Sequence, residues 1–448
     1  MQNTFKNSKV IKKYFYGLLL RYLSVYIRSE NSVVEISQEG FPISTYLKHS
    51  KQLFLNQGCA TVLPPDVSLR SFEQLAQEDP DYVILNGSIH YERNIQSFFY
   101  SLYDSCSHKT RIIVLYYSSA WRPLTHFASI LGIRSRTPEQ NWVDHKDIVN
   151  FLTLADFEPV LLESKILFPF YIPLLSNFIN RYLAPLPFFR LFCMVNIMVA
   201  RPLLKSKSKG LSVSIIVPAR NESGNIENII KRIPKMGPED EIIFVEGHSK
   251  DDTWNEIERI CKKYNSLPIT CLKQTGSGKA DAVRKGFACA SKDILMILDA
   301  DLSVPPEVLP AFYRALCEDK AEFLNGSRLV YSHEGKAMRF LNMVGNKIFA
   351  VAFSFLLGQK FKDTLCGTKV LSRENYEKIV LNRKYFGEFD PFGDFDLIFG
   401  ASRLCLKIKE VPVRYYERAY GQTNIKRWRH GAILMRMLVY AAKKLKFI

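Results

Sequence analysis

The run Leu295-Met296-Ile297-Leu298-Asp299-Ala300-Asp301 places two carboxylates, two residues apart, at the C-terminal end of an apolar segment. Such a segment reads as a buried strand, and side chains at i and i+2 of a strand share a face. In open α/β sheets that end of the strand is where ligands bind. Two hard oxygen ligands there suit Mg²⁺ or Mn²⁺, which keeps several waters and completes its shell with diphosphate oxygens. An Asp-x-Asp turn without a metal satisfies the same pattern.

The elements that must position this pair lie upstream. Val213-Ser214-Ile215-Ile216-Val217-Pro218-Ala219-Arg220-Asn221-Glu222 reads as a strand running into a polar turn, and Glu241–Thr253 as a second strand ending in acids and small residues. Helical patterns follow each one, capped by Ser223 or Asn225 through Arg232, and by Asp251 or Asp252 through Tyr264. Strand–helix–strand alternation at this spacing implies a parallel sheet with right-handed crossovers. Three strand ends then present carboxylates and small polar groups to one rim.

With these residues in view, 211 to about 430 resembles a family-2 glycosyltransferase of GT-A fold, in the polyprenyl-phosphate (dolichyl-phosphate mannose synthase-like) branch. The likeness rests on seven motifs: Pro218–Glu222, Glu246–Thr253, Gly278–Ala282, Asp299–Asp301, Asn325–Arg328, Asp363–Lys369 and Arg418–Asn424. The resemblance implies that Pro218, Ala219, Asn221, Glu222, Glu246, Lys279, Asp281 and Asp299 bind a nucleotide-sugar donor. It implies that Asp299 and Asp301 hold the Mg²⁺ or Mn²⁺, and that Arg328, Arg418, Lys369 and Thr423 hold an acceptor phosphate. Three positions depart from the family pattern. Glu246-Gly247 stands where two aspartates are usual, Ser303 where a third metal ligand is often Gln, and Asn424 where a lysine is usual.

The reaction the resemblance implies is inverting sugar transfer, with a metal ion assisting departure of the diphosphate. The nucleophile decides whether a base is needed. A sugar hydroxyl needs a carboxylate to take its proton, and Asp394 or Asp396 resembles that base. A polyprenyl phosphate, with a second pKa near ~6, needs cationic clamps instead. The lipid phosphate is the favoured acceptor, with a glycan hydroxyl in polysaccharide synthesis as the alternative. Helix capping by Asp394 ahead of Leu397 is an equally ordinary role for that residue.

The chain has 448 residues, enough for two to three domains, and a formal charge of +17. That charge asks for an anionic partner. Nucleic acid is not expected, since no nucleic-acid-binding motif is present. Residues 403–448 carry twelve Lys/Arg against two acids, so 431–448 reads as a basic amphipathic tail suited to an anionic membrane surface or to packing on its own domain. Nine cysteines without a CxxC pair, and the lack of a recognisable signal peptide, suggest reduced thiols and a cytoplasmic, peripheral location on the inner face of the cell membrane. Residues 161–209, dense in proline, read as a hydrophobic connector. Oligomeric state is left open.

Residues 1–160 read as a separate α/β domain, with a basic helical pattern over 6–28 and strands at 33–36, 82–85 and 111–116. They resemble a class I S-adenosylmethionine-dependent methyltransferase, through Asp81–Asn86 and Gln140-Asn141-Trp142, and Glu35 matches that family's acid at the strand end. The turn Ser37-Gln38-Glu39-Gly40-Phe41-Pro42 keeps one glycine where close approach to a cofactor needs several. A degenerate domain is expected, with a bifunctional methyltransferase/glycosyltransferase as the alternative. The whole is therefore expected to be α/β: a GT-A nucleotide-diphospho-sugar transferase fold preceded by a Rossmann-like methyltransferase-type domain.

Overall fold

The computed structural model describes residues 2–37, 42–49, 51–55, 68–69, 71–130, 141–203, 210–331, 340–385, 393–418, 420 and 427–448. The chain divides into two compact units, Met1–Leu204 together with Lys443–Ile448, and Lys205–Ala442.

The first unit is built on seven strands: β1 (Ser32–Ser37), β2 (Lys51–Leu55), β3 (Ser68–Leu69), β4 (Tyr82–Asn86), β5 (Arg111–Tyr117), β6 (Phe157–Lys165) and β7 (Val195–Pro202). Their order is β3-β2-β1-β4-β5-β7-β6. The first five are parallel, and β7 runs antiparallel to both neighbours. Central strands such as β4 and β5 are apolar along nearly their whole length because helices cover both faces of a parallel sheet. The chain reverses its direction of winding between β1 and β4, which makes a crevice at their C-terminal ends.

Two sequence-based boundaries need correction. Residues 161–209 are no connector, since they supply most of β6 and all of β7, which pair across the sheet edge. The prolines at 169, 173, 185 and 187 fall between these strands, where no ladder hydrogen bond is lost. Nor is 431–448 one free tail. A helix, Arg427–Ala441, ends the second unit, and Lys443–Ile448 belong to the first. There Lys446 is buried and pairs with Glu163, which also binds Lys165 at 2.7 Å. Burial works against the Glu163 carboxylate, but Lys165 and Lys446 outweigh it and bring its pKa down to about 2. The helix Gln2–Leu23 buries Leu18, Leu19, Tyr22 and Leu23, so its second half packs on the unit.

The second unit contains β8 (Val213–Ala219), β9 (Asp240–Glu246), β10 (Ile269–Lys273), β11 (Ile294–Ile297), β12 (Phe323–Ser327), β13 (Lys369–Ser372) and β14 (Ile408–Pro412). The order is β10-β9-β8-β11-β13-β12-β14. The first four are parallel, β13 is antiparallel to β11 and β12, and β14 is parallel to β12. Its core is mostly aliphatic with added phenylalanines, and Ile215, Val217, Phe244, Met296 and Phe312 are fully buried. Winding reverses between β8 and β11, so the turns after these strands face one another across the crevice where such sheets bind ligands. A disulfide joins Cys261 to Cys271, where reduced thiols were expected throughout.

Candidate active site at the β8/β11 crevice

Strand β11 ends at Ile297, so Asp299 and Asp301 lie in the turn beyond it rather than on the strand. Each carboxylate meets its own cation. Asp299 Oδ1 is 2.6 Å from Lys279 Nζ, and Asp301 Oδ2 is 2.8 Å from an Arg418 guanidinium nitrogen. Burial works against the charge of Lys279, but Asp299, Asp394 and Asp301 outweigh it and raise its pKa. Burial likewise disfavours the Asp299 carboxylate, but Lys279, Lys369 and Arg328 outweigh it and lower its pKa. Both acids therefore act on the Lys279 ammonium.

Local backbone chemistry fixes this arrangement. Ser303 donates its N–H and hydroxyl to Asp301 Oδ1 at 3.0 and 2.7 Å, so the residue at the expected third metal position orients the second acid instead. Lys279 opens the helix Lys279–Cys289 behind Gly278, whose φ of +87° suits glycine. A Cβ at Gly367 would overlap the Asp299 carboxylate and the Lys279 ammonium, so only glycine lets that loop approach the pair.

On the β8 side, Asn221 takes a left-handed backbone conformation (φ +57°) and accepts the Lys250 N–H at 2.7 Å. Its own N–H donates to Ser249 at 3.0 Å. Ala219 O accepts the Gly247 N–H at 2.9 Å, and Glu246 accepts the Ser249 N–H. These bonds tie the ends of β8 and β9 into one ledge beside Pro218. Asp281 accepts the Gly276 N–H at 2.9 Å and so shapes the glycine loop ahead of Lys279. Glu222 is 3.9 Å from Arg418; burial pushes its pKa up to about 7, with Asp301 and Asp251 adding to the shift, and Asn225 and Arg418 opposing it.

Several acceptor-side expectations change. Arg328 forms a bidentate pair with buried Asp363, at 2.7 and 2.9 Å, and its backbone N–H donates to the same acid. It is a buried structural pair whose charge reaches Asp299, not an open clamp. Asp396 accepts from Arg383 at 2.7 Å and Arg284 at 3.1 Å. Two guanidinium groups thus share one oxygen of this carboxylate. Asp394 differs: it is buried, its Oδ1 has no hydrogen-bond partner, and Lys369 Nζ lies 3.7 Å away. Lys369 itself donates to Cys366 O. Thr423 lies outside the described residues. Among the described residues no group of three or more His, Cys, Asp or Glu forms a metal cluster.

Sequence reasoning missed two partners. Asp251 accepts from Thr253 and from the Ser223 N–H, holding the loop after β8. Tyr420 packs on Gly224, where a Cβ would meet its ring, and accepts from Ser223 at 3.0 Å. The Glu246–Thr253 motif contained the first signal and the Arg418–Asn424 motif the second.

Residues 214–380 match the Glycosyl transferase family 2. Over 223 residues the chain is 30% identical to a dolichol-phosphate mannosyltransferase of Pyrococcus furiosus, covering 48% of this chain and 60% of that protein. It is 26% identical over 228 residues to a dolichyl-phosphate hexose transferase of Haloferax volcanii, covering 51% of this chain and 92% of that protein. Among solved structures, glucosyl-3-phosphoglycerate synthase of Mycobacterium tuberculosis, in complex with Mn²⁺, UDP and glucosyl-3-phosphoglycerate, aligns at 20% identity with a TM-score of 0.37, over 53% of this chain and 80% of that one. The chain thus spans under two thirds of the first relative's length. The family match lies wholly within the second unit and supports a glycosyltransferase of GT-A fold there.

Proposed function

We propose that the second unit transfers a hexose, with inversion, from a nucleotide-sugar donor to a polyprenyl phosphate. The observation that carries this reading is the pair Asp299 and Asp301, each neutralised by a long, swinging side chain, Lys279 or Arg418. Such cations leave a carboxylate for a ligand without breaking the backbone, and they then stand free to meet phosphate oxygens. Asp299 and Asp301 would hold Mg²⁺ or Mn²⁺: they are two hard oxygen donors at the crevice rim, and Gly367 leaves them room. When bound, the ion supplies Lewis-acid charge for the departing diphosphate. Lys279, at a helix N-terminus, adds charge for the same oxygens, and the ledge of Pro218, Ala219, Asn221, Glu222 and Glu246 seats the nucleoside.

The relatives named for dolichol-phosphate substrates support a lipid phosphate as acceptor. Arg418 is its clamp, released from Asp301 as the donor arrives. A charged donor does not cross a bilayer, so the reaction belongs on the inner face of the membrane where the donor is made. A second reading rests on Asp394, whose buried Oδ1 has no hydrogen-bond partner among the described residues and would take the proton of a sugar hydroxyl. For the first unit we propose a methyltransferase-type domain that has lost its cofactor site, supported by its doubly wound strand order and by a strand-end acid already saturated with internal hydrogen bonds.

The test is transfer to a short-chain polyprenyl phosphate against transfer to a methyl glycoside. The lipid phosphate should be used, with a rate that rises through the acceptor's second pKa near ~6. Arg418→Ala should cost about a hundredfold and Asp394→Asn less than about tenfold. Transfer to the glycoside that Asp394→Asn abolishes, with Arg418→Ala mild, would replace this reading with the second.

A further inference from the structure

The excursion between β6 and β7 is built inside out. Over residues 166–192 there is no Asp or Glu, and Arg181 and Arg190 carry the only charges. Two of its polar side chains are interior. Ser176 is buried, donating to Phe170 O at 2.8 Å and accepting the Ile172 N–H at 2.6 Å. Asn180 is buried as well, bonding both the N–H and the carbonyl of Phe168 and donating to Tyr14 of the first helix at 3.1 Å. The apolar side chains face out instead: Leu174 is 87% exposed, Leu191 72% and Phe188 66%. Leu174 holds this position at φ +62°, a conformation that L residues adopt only at a cost. The patch continues onto the helix Arg122–Ile130, where Leu124 and Phe127 are more than half exposed, and Trp121 ties that helix to Phe192 O at 2.8 Å.

We propose that this surface of the first unit docks into an anionic lipid bilayer. An element whose polar groups are satisfied internally and whose apolar groups face outward is stable where water is excluded on the outside. Charge selects lipid over a protein partner. The excursion, the helix Arg122–Ile130 and the helix Gln2–Leu23 contain no acid, while the last of these carries five Lys and Arg. A surface that joins exposed leucine and phenylalanine to the exposed cations Lys13, Arg21 and Arg181, in segments without an acid, matches the interface of a membrane with negative head groups. No described helix is long and apolar enough to cross a membrane, so the contact is a surface one. It involves neither the crevice nor its substrates, and it holds whichever acceptor the second unit uses.

The experiment is co-sedimentation of the full chain with vesicles of phosphatidylcholine alone or of phosphatidylcholine with phosphatidylglycerol, without any substrate. The wild type should bind the phosphatidylglycerol vesicles, and binding should weaken as NaCl rises from about 0.1 M to about 0.5 M. Leu174→Glu with Leu191→Glu should lower vesicle affinity by more than about tenfold, with melting temperature and nucleotide-sugar thermal shift unchanged. The milder pair Leu174→Ser with Leu191→Ser should show the same direction, which keeps the result readable if the glutamates disturb folding. Failure of the wild type to sediment with phosphatidylglycerol vesicles, or equal sedimentation of the variants, overturns the proposal. So does a wild-type dimer that the variants dissolve without any vesicle binding, which would make this face a contact between copies of the chain.

Discussion

Both units carry an acid at the C-terminal rim of a doubly wound sheet, yet the two rims are finished differently. In the first unit Glu35 is fully buried and accepts the N–H groups of Ile43 and Ser44 at 3.1 and 2.8 Å, the Ser44 hydroxyl at 2.5 Å and the Asn86 amide at 2.8 Å. Its lone pairs are spent on the chain's own backbone, and burial raises its pKa despite those bonds. In the second unit Asp299 and Asp301 meet side-chain cations that are a quarter exposed and mobile about several bonds. The first acid holds a loop shut, and the second pair is held ready for exchange. Both acids stand near the end of an apolar strand, and the partner decides between structure and site.

Removing the ready pair should have the largest effect. Asp299→Asn or Asp301→Asn should lower sugar transfer by about a thousandfold or more, because a neutral amide is a poor ligand for a hard cation and leaves Lys279 or Arg418 without its counter-charge. The cations are a quarter exposed and Asp301 is buried, so the stability cost should be about 1–3 kcal/mol, and a melting curve should stay cooperative. Transfer at the wild-type rate in EDTA, or in either variant, contradicts the assignment of these acids to a metal.

Much of the second unit was legible because buried parallel strands are uninterrupted apolar runs whose ends carry the polar residues. β8, β9 and β11 all show this pattern. What was not legible depended on partners distant in sequence. Arg328 looked like a phosphate clamp until Asp363, 35 residues on, proved to hold it, and Lys446 looked like a surface cation until Glu163 enclosed it. The pair β6 and β7 was hidden because an apolar, proline-rich excursion separates its strands, so the whole stretch read as connector. Asp394 and Asp396 teach a narrower point. The spacing i, i+2 brings two side chains to one face of a strand but sends them to different sides of a helix. Because both lie in the first turn of the helix Asp394–Arg403, one meets Lys369 while the other meets Arg284 and Arg383.

The closed rim of the first unit gives the next effect in size, and it concerns stability alone. Glu35→Ala would leave the buried N–H groups of Ile43 and Ser44 without an acceptor, at a cost of about 2–4 kcal/mol. Denaturant unfolding should show that loss, while nucleotide-sugar binding by the second unit stays as it was. S-adenosylmethionine should give no thermal shift in the wild type, since a ligand that binds only the folded state must raise its melting temperature. Tight binding would mean that the crevice is open after all, and the chain bifunctional.

The smallest effect tests how far the open rim tolerates its own charge. Glu222 sits where burial, Asp301 and Asp251 push its pKa up to about 7, while Asn225 and Arg418 pull it back. A carboxyl whose folded pKa exceeds its unfolded one favours the protonated folded state. Its contribution to stability is therefore complete below about pH 4 to 5 and is lost as pH rises through about 7. Glu222→Gln keeps the oxygen that accepts from Asn225 at 2.8 Å but cannot acquire charge. The variant should match the wild type near pH 5 and become the more stable of the two by pH 8, by about 1–3 kcal/mol. Equal stabilities at both pH values would mean that Arg418 compensates Glu222 fully, and that this guanidinium is bound to the acids of the crevice too firmly to leave them for an acceptor phosphate.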